Sequence, residues 1–310
     1  MIMLQIDNDV PMTDETGQDP LAAPGARAEL SRLIASDIDQ YCVDQYGDGH
    51  RNHLGASLIG HDCSRYLWSV FRWLKAETFT GRQLRLFQRG HLEEKRFTEY
   101  LVGIGATVVE FQPDADGNAN KGEKQYRISG VFGHYGGSLD GQLTLPEKYG
   151  VPFGVLSEYK TKGTGRGFNE LKKRGVKFTA PQHFAQMSAY GREYSYKYAL
   201  YMAANKNDDD LHIEVVELDW NVGEEMERKA TDIITSQLPP AKISESPAFL
   251  KCKWCHFSDI CFKGEQVEKN CRSCSNASPI QNGQWHCSAF NAAIPADFIK
   301  NGCDKHNPIV

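Results

Sequence analysis

The deciding stretch reads Gly137-Ser138-Leu139-Asp140-Gly141 and resumes, after a turn-rich interval at Glu147–Gly150, as Leu156-Ser157-Glu158-Tyr159-Lys160. Both pieces read as strands. Residues two apart on a strand share a face, so Glu158 and Lys160 point to one side, where Asp140 from a neighbouring strand can meet them. Two carboxylates make a hard-oxygen site for Mg2+ or Mn2+. A lysine beside them can place an attacking water or offset charge building on a phosphate. An E-x-K triplet alone is a common accident of exposed strands, so its company decides.

Upstream, Ala28–Tyr46 is expected to be a helix, with Leu30, Leu33, Ile34, Ile38 and Tyr41 at helical spacing. A second helix is expected around Arg65–Ala76 and a third over Arg82–Val102. The third has the stripe Leu86, Phe87, Gly90, Phe97 and Leu101, with His91 at its apolar edge. The period then changes to two, predicting strands at Thr107–Phe111, Gln125–Ser129, His134–Leu145 and Pro152–Lys160. Helices follow at 169–175 and Pro181–Tyr194, strands at Tyr196–Ala203 and His212–Leu218, and a helix at Val222–Gln237. Pro239-Pro240 ends that helix and opens a tail without periodicity. The order indicates an α/β or α+β core.

With 310 residues, 40% of them apolar, the chain can bury one large domain plus an appendage. No apolar run reaches the length of about 18 residues that a membrane helix needs. Residues 1–28 are expected to be a flexible segment without a signal sequence, which points to the cytoplasm of a bacterial or phage-infected cell. The net charge of −5 argues weakly against nucleic acid, but residues 160–177 carry seven Lys or Arg against one Glu. Lys162, Arg166, Lys172, Lys173 and Arg174 are therefore candidate phosphate contacts.

The company of the triplet is Gln88-Arg89-Gly90-His91 on the preceding helix and Gln186 with Tyr190 on the following one, where i and i+4 project from one face. Taken singly, His91 reads as a satisfied histidine and Tyr190 as a core aromatic. In this order the residues resemble the RecB-like branch of the PD-(D/E)XK nucleases, which includes the CRISPR-adaptation exonucleases and the AddB nuclease domain. The resemblance runs from about Ser57 to Cys261. It implies a restriction-endonuclease-like core, a mixed central sheet flanked by helices. It also implies that His91, Asp140 and Glu158 bind the catalytic Mg2+ or Mn2+, with the Tyr159 carbonyl as a further ligand. Lys160 takes the catalytic-lysine role, and Gln186 and Tyr190 orient the lysine or the DNA. The family's Pro-Asp pair is absent, since Leu139 precedes Asp140.

Seven of the nine cysteines fall after residue 250, and clustered thiols in a reducing compartment ask for metal rather than disulfides. Cys42 alone suits a buried thiol. Cys252, Cys255 and Cys261, with Cys63 far upstream, give four thiolates that suit either a 4Fe–4S cluster or Zn2+. The family resemblance favours iron–sulfur and a structural role. Cys271, Cys274, Cys287 and Cys303 suit a small structural Zn2+ site, with His306 the competing fourth ligand and His286 a further one. The expected organisation is thus a nuclease domain over 29–265, closed by the cluster, and a zinc-binding, metal-stapled tail over 266–310.

The function expected from all this is metal-dependent hydrolysis of DNA phosphodiesters, as an exonuclease, in recombination, repair or phage DNA processing. The alternative is a nuclease-fold DNA-binding or accessory subunit that does not cleave. A purely zinc-dependent regulatory protein would leave the motif order a coincidence. DNA is the expected partner and no membrane is. A recombination or replication protein partner, and a homo-oligomer, are left open.

Overall fold

The computed structural model describes residue 19 and residues 21–47, 49–118, 120–163 and 166–310. Most of the segment expected to be flexible lies outside these. The chain divides into two compact units, Met1–Gly47 with Thr78–Phe87, and Asp48–Glu77 with Gln88–Val310.

The first unit holds α1 (Ala26–Tyr46) and the start of α3 (Gly81–Gly103), and Arg85 pairs with Asp39 inside it. The helical spacing of α1 is as expected, but its apolar residues Leu33, Ile34 and Ile38 are exposed and Cys42 is its buried residue.

The second unit is built on a five-stranded mixed sheet in the order β2-β5-β6-β7-β8. These strands are Thr107–Val109, Gly141–Thr144, Val155–Lys162, Tyr198–Asn205 and Leu211–Glu217. β6 and β7 run parallel and the other neighbours antiparallel. The central strands are buried on both faces, which is why β7 reads as the near-continuous apolar run Tyr198–Ala204, whereas edge strand β8 alternates. The parallel pair needs a crossover, supplied by α4 (Arg166–Arg174), α5 (Val176–Thr179) and α6 (Pro181–Glu193). Pro181 opens α6, where its missing N–H costs nothing. α7 (Trp220–Thr235) packs on α6 and starts at Asp219, whose carboxylate accepts the Asn221 N–H at 3.0 Å. The mixed α/β architecture is the one expected.

A second sheet, β1-β4-β3, joins Leu54–Gly55, Tyr135–Ser138 and Arg127–Gly130. The single strand expected at His134–Leu145 is thus two strands in two sheets. Leu139, buried, gives its N–H to Tyr126 on one side, and Gly141 pairs with Ser157 on the other. Asp140 stands at the corner between them. The helix expected to reach Ala76 also ends early, with α2 covering Ser64–Phe71. Trp73 has φ 53°, a left-handed turn that sends its indole to donate to the Arg51 carbonyl at 2.8 Å.

The tail has more structure than its lack of period suggests. It contains α8 (Leu250–Lys253), α9 (Ser258–Lys263), the antiparallel sheet β9-β10-β11 (Ala277–Pro279, Trp285–Cys287, Ala292–Ile294) and α10 (Ala296–Ile299). Phe257, Ala277, Trp285 and Ile309 join the core that also holds Trp68 and Tyr201.

Candidate active site

The register Gly141↔Ser157 sets Asp140 across from Glu158, at the point where β5 leaves the corner. Asp140 Oδ2 accepts the Tyr159 N–H at 2.7 Å, which fixes the carboxylate on the neighbouring strand. Lys160 curls back over the same place. Its Nζ contacts Glu158 Oε1, donates to the Tyr159 carbonyl at 3.0 Å and lies 3.9 Å from Asp140 Oδ2. Three oxygens, two from β6 and one from the corner before β5, therefore converge on one cation, the ammonium.

Glu158 is 1% exposed, and burial pushes its carboxyl up to about 7, opposed by Lys160 and reinforced by Asp140. Burial acts to lower Lys160, but Glu158 and Asp140 outweigh it and hold the ammonium above its ordinary value. From α6, Gln186 Nε2 donates to Glu158 Oε2 at 3.2 Å and to the Tyr190 hydroxyl at 3.4 Å. Its Oε1 is buried without a partner. Asp140, Glu158, Tyr159, Lys160, Gln186 and Tyr190 are thus brought together.

His91 is not. Its side chain is 65% exposed, and Nδ1 lies 3.6 Å from Glu94 Oε1, one turn further along α3. Glu94 is the inward group of that helix face, with its carboxyl raised by burial and by the negative charge of Asp140. Sequence reading missed Glu94, and its only signal was a position three residues beyond His91. It also missed His183, which lies three residues before Gln186 and so shares its face of α6. His183 Nδ1 is 2.9 Å from the Tyr201 hydroxyl, and burial, with the charges of Lys160 and Lys162, pushes its ring down to about 3.

Of the candidate phosphate contacts, Lys162 is half-buried at the end of β6, and burial lowers its ammonium. Lys172, Lys173 and Arg174 are exposed at the end of α4, where Lys172 pairs with Asp210 at 2.6 Å and Arg174 lies over the Phe178 ring. The side chain of Arg166 lies outside the described residues.

Both cysteine sets gather around cavities. Cys63, Cys252, Cys255 and Cys261 line one of about 300 Å3 together with His61 and Tyr66. Cys63 caps α2, its Sγ accepting the Tyr66 N–H at 3.4 Å. Burial, then the Cys63 and Cys261 thiols, raise Cys252. Cys271, Cys274, Cys287 and Cys303 line a cavity of about 20 Å3 with His306. His286 stands on β10 and does not line it. Among the described residues, no three His, Cys, Asp or Glu side chains are already closed to metal-ligating geometry.

No protein-family model matches the chain, and no curated protein matches it. Among solved structures, SSO0001 aligns over 75% of this chain and 97% of its own at 16% identity and a TM-score of 0.42. An alkaline exonuclease from Laribacter hongkongensis, LHK-Exo, aligns over 59% of this chain and 87% of its own, at 13% identity and a TM-score of 0.33. In its complex with dAMP the figures are 14% identity and a TM-score of 0.32.

Proposed function

We propose that the chain is a metal-dependent deoxyribonuclease of the PD-(D/E)XK type, RecB-like, acting as an exonuclease in recombination, repair or phage DNA processing. The observation that carries this reading is the convergence of Glu158 Oε1, the Tyr159 carbonyl and Asp140 Oδ2 on the Lys160 ammonium. An oxygen set that gathers around one cation is the chemistry that suits Mg2+ or Mn2+. Asp140, Glu158 and the Tyr159 carbonyl would hold the ion, with Glu94 close by and His91 able to join only by turning inward. When bound, the ion supplies Lewis-acid chemistry at the scissile phosphate.

The chain's own groups do the rest. Gln186 fixes one oxygen of Glu158 and leaves the other facing Lys160. Lys160, displaced from the carboxylates, keeps its charge and can hold a water in line with phosphorus or balance charge on the phosphate. Lys162, Lys173 and Arg174 follow β6 and supply sequence-independent contacts to the strand.

In this reading the larger cysteine cavity holds a 4Fe–4S cluster on Cys63, Cys252, Cys255 and Cys261, and the smaller one a Zn2+.

The test is cleavage of end-labelled DNA with and without Mn2+. Glu158→Ala is expected to abolish cleavage and leave DNA binding largely intact. Full activity in that variant would sink the assignment.

A further inference from the structure

Two guanidinium groups lie inside the second unit with no carboxylate among the described residues to answer them. Arg72, which closes α2, is 0% exposed, and Arg272 is 1% exposed. Every hydrogen bond they make among the described residues goes to a backbone carbonyl. Arg72 donates to Cys274 at 2.9 Å and to Ala277 at 3.1 Å; Arg272 donates to Arg51 at 3.3 Å and Asn52 at 3.2 Å. Among the described residues, Nε of both arginines and Nη2 of Arg272 have no hydrogen-bond partner. Aromatic faces fill the space around them, with Arg272 Cζ 4.5, 4.4 and 4.7 Å from the Phe71, Trp73 and Trp285 rings. Arg72 Cζ is 5.2 Å from the same Trp285 ring.

Rings and carbonyls help, but they carry no net charge. Arginine does not shed its proton in a protein, so two full positive charges are buried side by side. Buried charges are costly unless opposite charges lie close. The candidates for those opposite charges are the neighbouring cysteines. Arg272 lies between Cys271 and Cys274 in the sequence, and Arg72 bonds the carbonyl of Cys274 itself. Trp285, which contacts both arginines, stands two residues before Cys287.

We propose that Cys271, Cys274, Cys287 and Cys303 bind one Zn2+ as an all-thiolate centre, and that Arg72 and Arg272 are its buried counter-cations. This rests on the zinc reading above and adds the charge balance, which separates Cys303 from His306 as fourth ligand. Four thiols give up four protons to solvent as the ion binds, and four thiolates around one dication leave a double negative charge. Two arginines match it. With His306 in place of Cys303 the centre would carry a single negative charge and one arginine would stay unanswered. His306 also lines the cavity, with Nε2 3.0 Å from Ser273 Oγ, so the charge count is what separates it from Cys303. The Asn307 N–H already points at Cys274 Sγ at 3.3 Å, a donor that favours a thiolate.

The test uses the full-length protein with Co2+ exchanged for zinc. The visible bands of Co2+ separate a four-sulfur site from one with three sulfurs and a nitrogen, and subtracting the Cys287→Ser spectrum isolates this centre. A four-sulfur spectrum is expected in the wild type and in His306→Ala, and its loss in Cys303→Ser. Zinc affinity, measured by chelator competition, is expected to fall about ten- to a hundredfold in Arg72→Met. It should recover most of that in Arg72→Lys, which restores the charge. Arg272→Met is the parallel variant, and Arg72→Gln replaces Arg72→Met should the latter fail to fold. A three-sulfur, one-nitrogen spectrum, or unchanged affinity without the Arg72 charge, would overturn the proposal and leave the zinc reading standing. A wild-type protein with no metal at these cysteines would remove both.

Discussion

Tyr159 donates its backbone N–H to Asp140 Oδ2 at 2.7 Å, so the aspartate is held by the strand that carries the other carboxylate and the lysine. Position and charge of Asp140 can therefore be separated. Asp140→Asn keeps an oxygen for that hydrogen bond but removes the charge. Its stability should stay close to wild type while DNA cleavage falls about a hundred- to a thousandfold. Asp140→Ala loses both and should cost a further 1–2 kcal/mol or so of stability, read from urea unfolding.

His183 gives the fold an acid sensitivity. Burial first, and then the charges of Lys160 and Lys162, push its ring down to about 3 in the folded protein, against an ordinary value of 6.5. Between those values the unfolded chain takes up a proton that the folded one refuses, so the His183 contribution to stability is lost as pH falls below about 6.5, against the opposite contribution of the raised Glu158 carboxyl. The loss is at most about 1.4 kcal/mol per pH unit. His183→Gln should flatten the fall in melting temperature over that interval. An unchanged slope would show that His183 is not its source.

The basic residues at the end of α4 should not be equivalent. Lys173 and Arg174 have no carboxylate in ion-pair distance among the described residues, whereas Lys172 is engaged by Asp210 at 2.6 Å. Replacing Lys173 or Arg174 by alanine should weaken DNA binding uniformly across sequences and reduce the salt slope by about 1 each. Lys172→Ala should do less, as measured by binding titrations over a range of salt.

On the proposed reading, removing the cluster from the larger cysteine cavity should unfold the surroundings of the central sheet. Cys63 reaches it from one end of the sequence and Cys252, Cys255 and Cys261 from the other, closing a long loop. Cys255→Ala is expected to lose iron and to melt well below the wild type. A folded, active Cys255→Ala protein would count against the staple.

Much of this was legible because it depends on local period. Glu158 and Lys160 share a face by strand alternation alone, Gln186 and Tyr190 by helical spacing, and the pairs Cys252/Cys255 and Cys271/Cys274 by short intervals. What failed depends on how elements meet. The alternation from His134 to Leu145 runs through the corner at Leu139 without a break, so nothing local tells that the strand changes sheets there. His91 and Glu94 lie on nearby parts of α3, and which one turns towards Asp140 is set by the rotation of that helix on the sheet. Nothing in the local pattern around Arg72 or Arg272 marks either as buried. Only the folded chain shows them buried among Phe71, Trp73 and Trp285.

Helix α2 is eight residues long, with Cys63 at its N-cap and Arg72 at its C-cap. One end reaches the larger cysteine cavity and the other donates to Cys274 beside the smaller. On the reading proposed above, a helix shared in this way would couple the two centres, and any such coupling is reciprocal: whatever factor zinc adds to retention of the cluster, the cluster must add to retention of zinc. Scarcity of either metal would then be felt at both ends of one short helix.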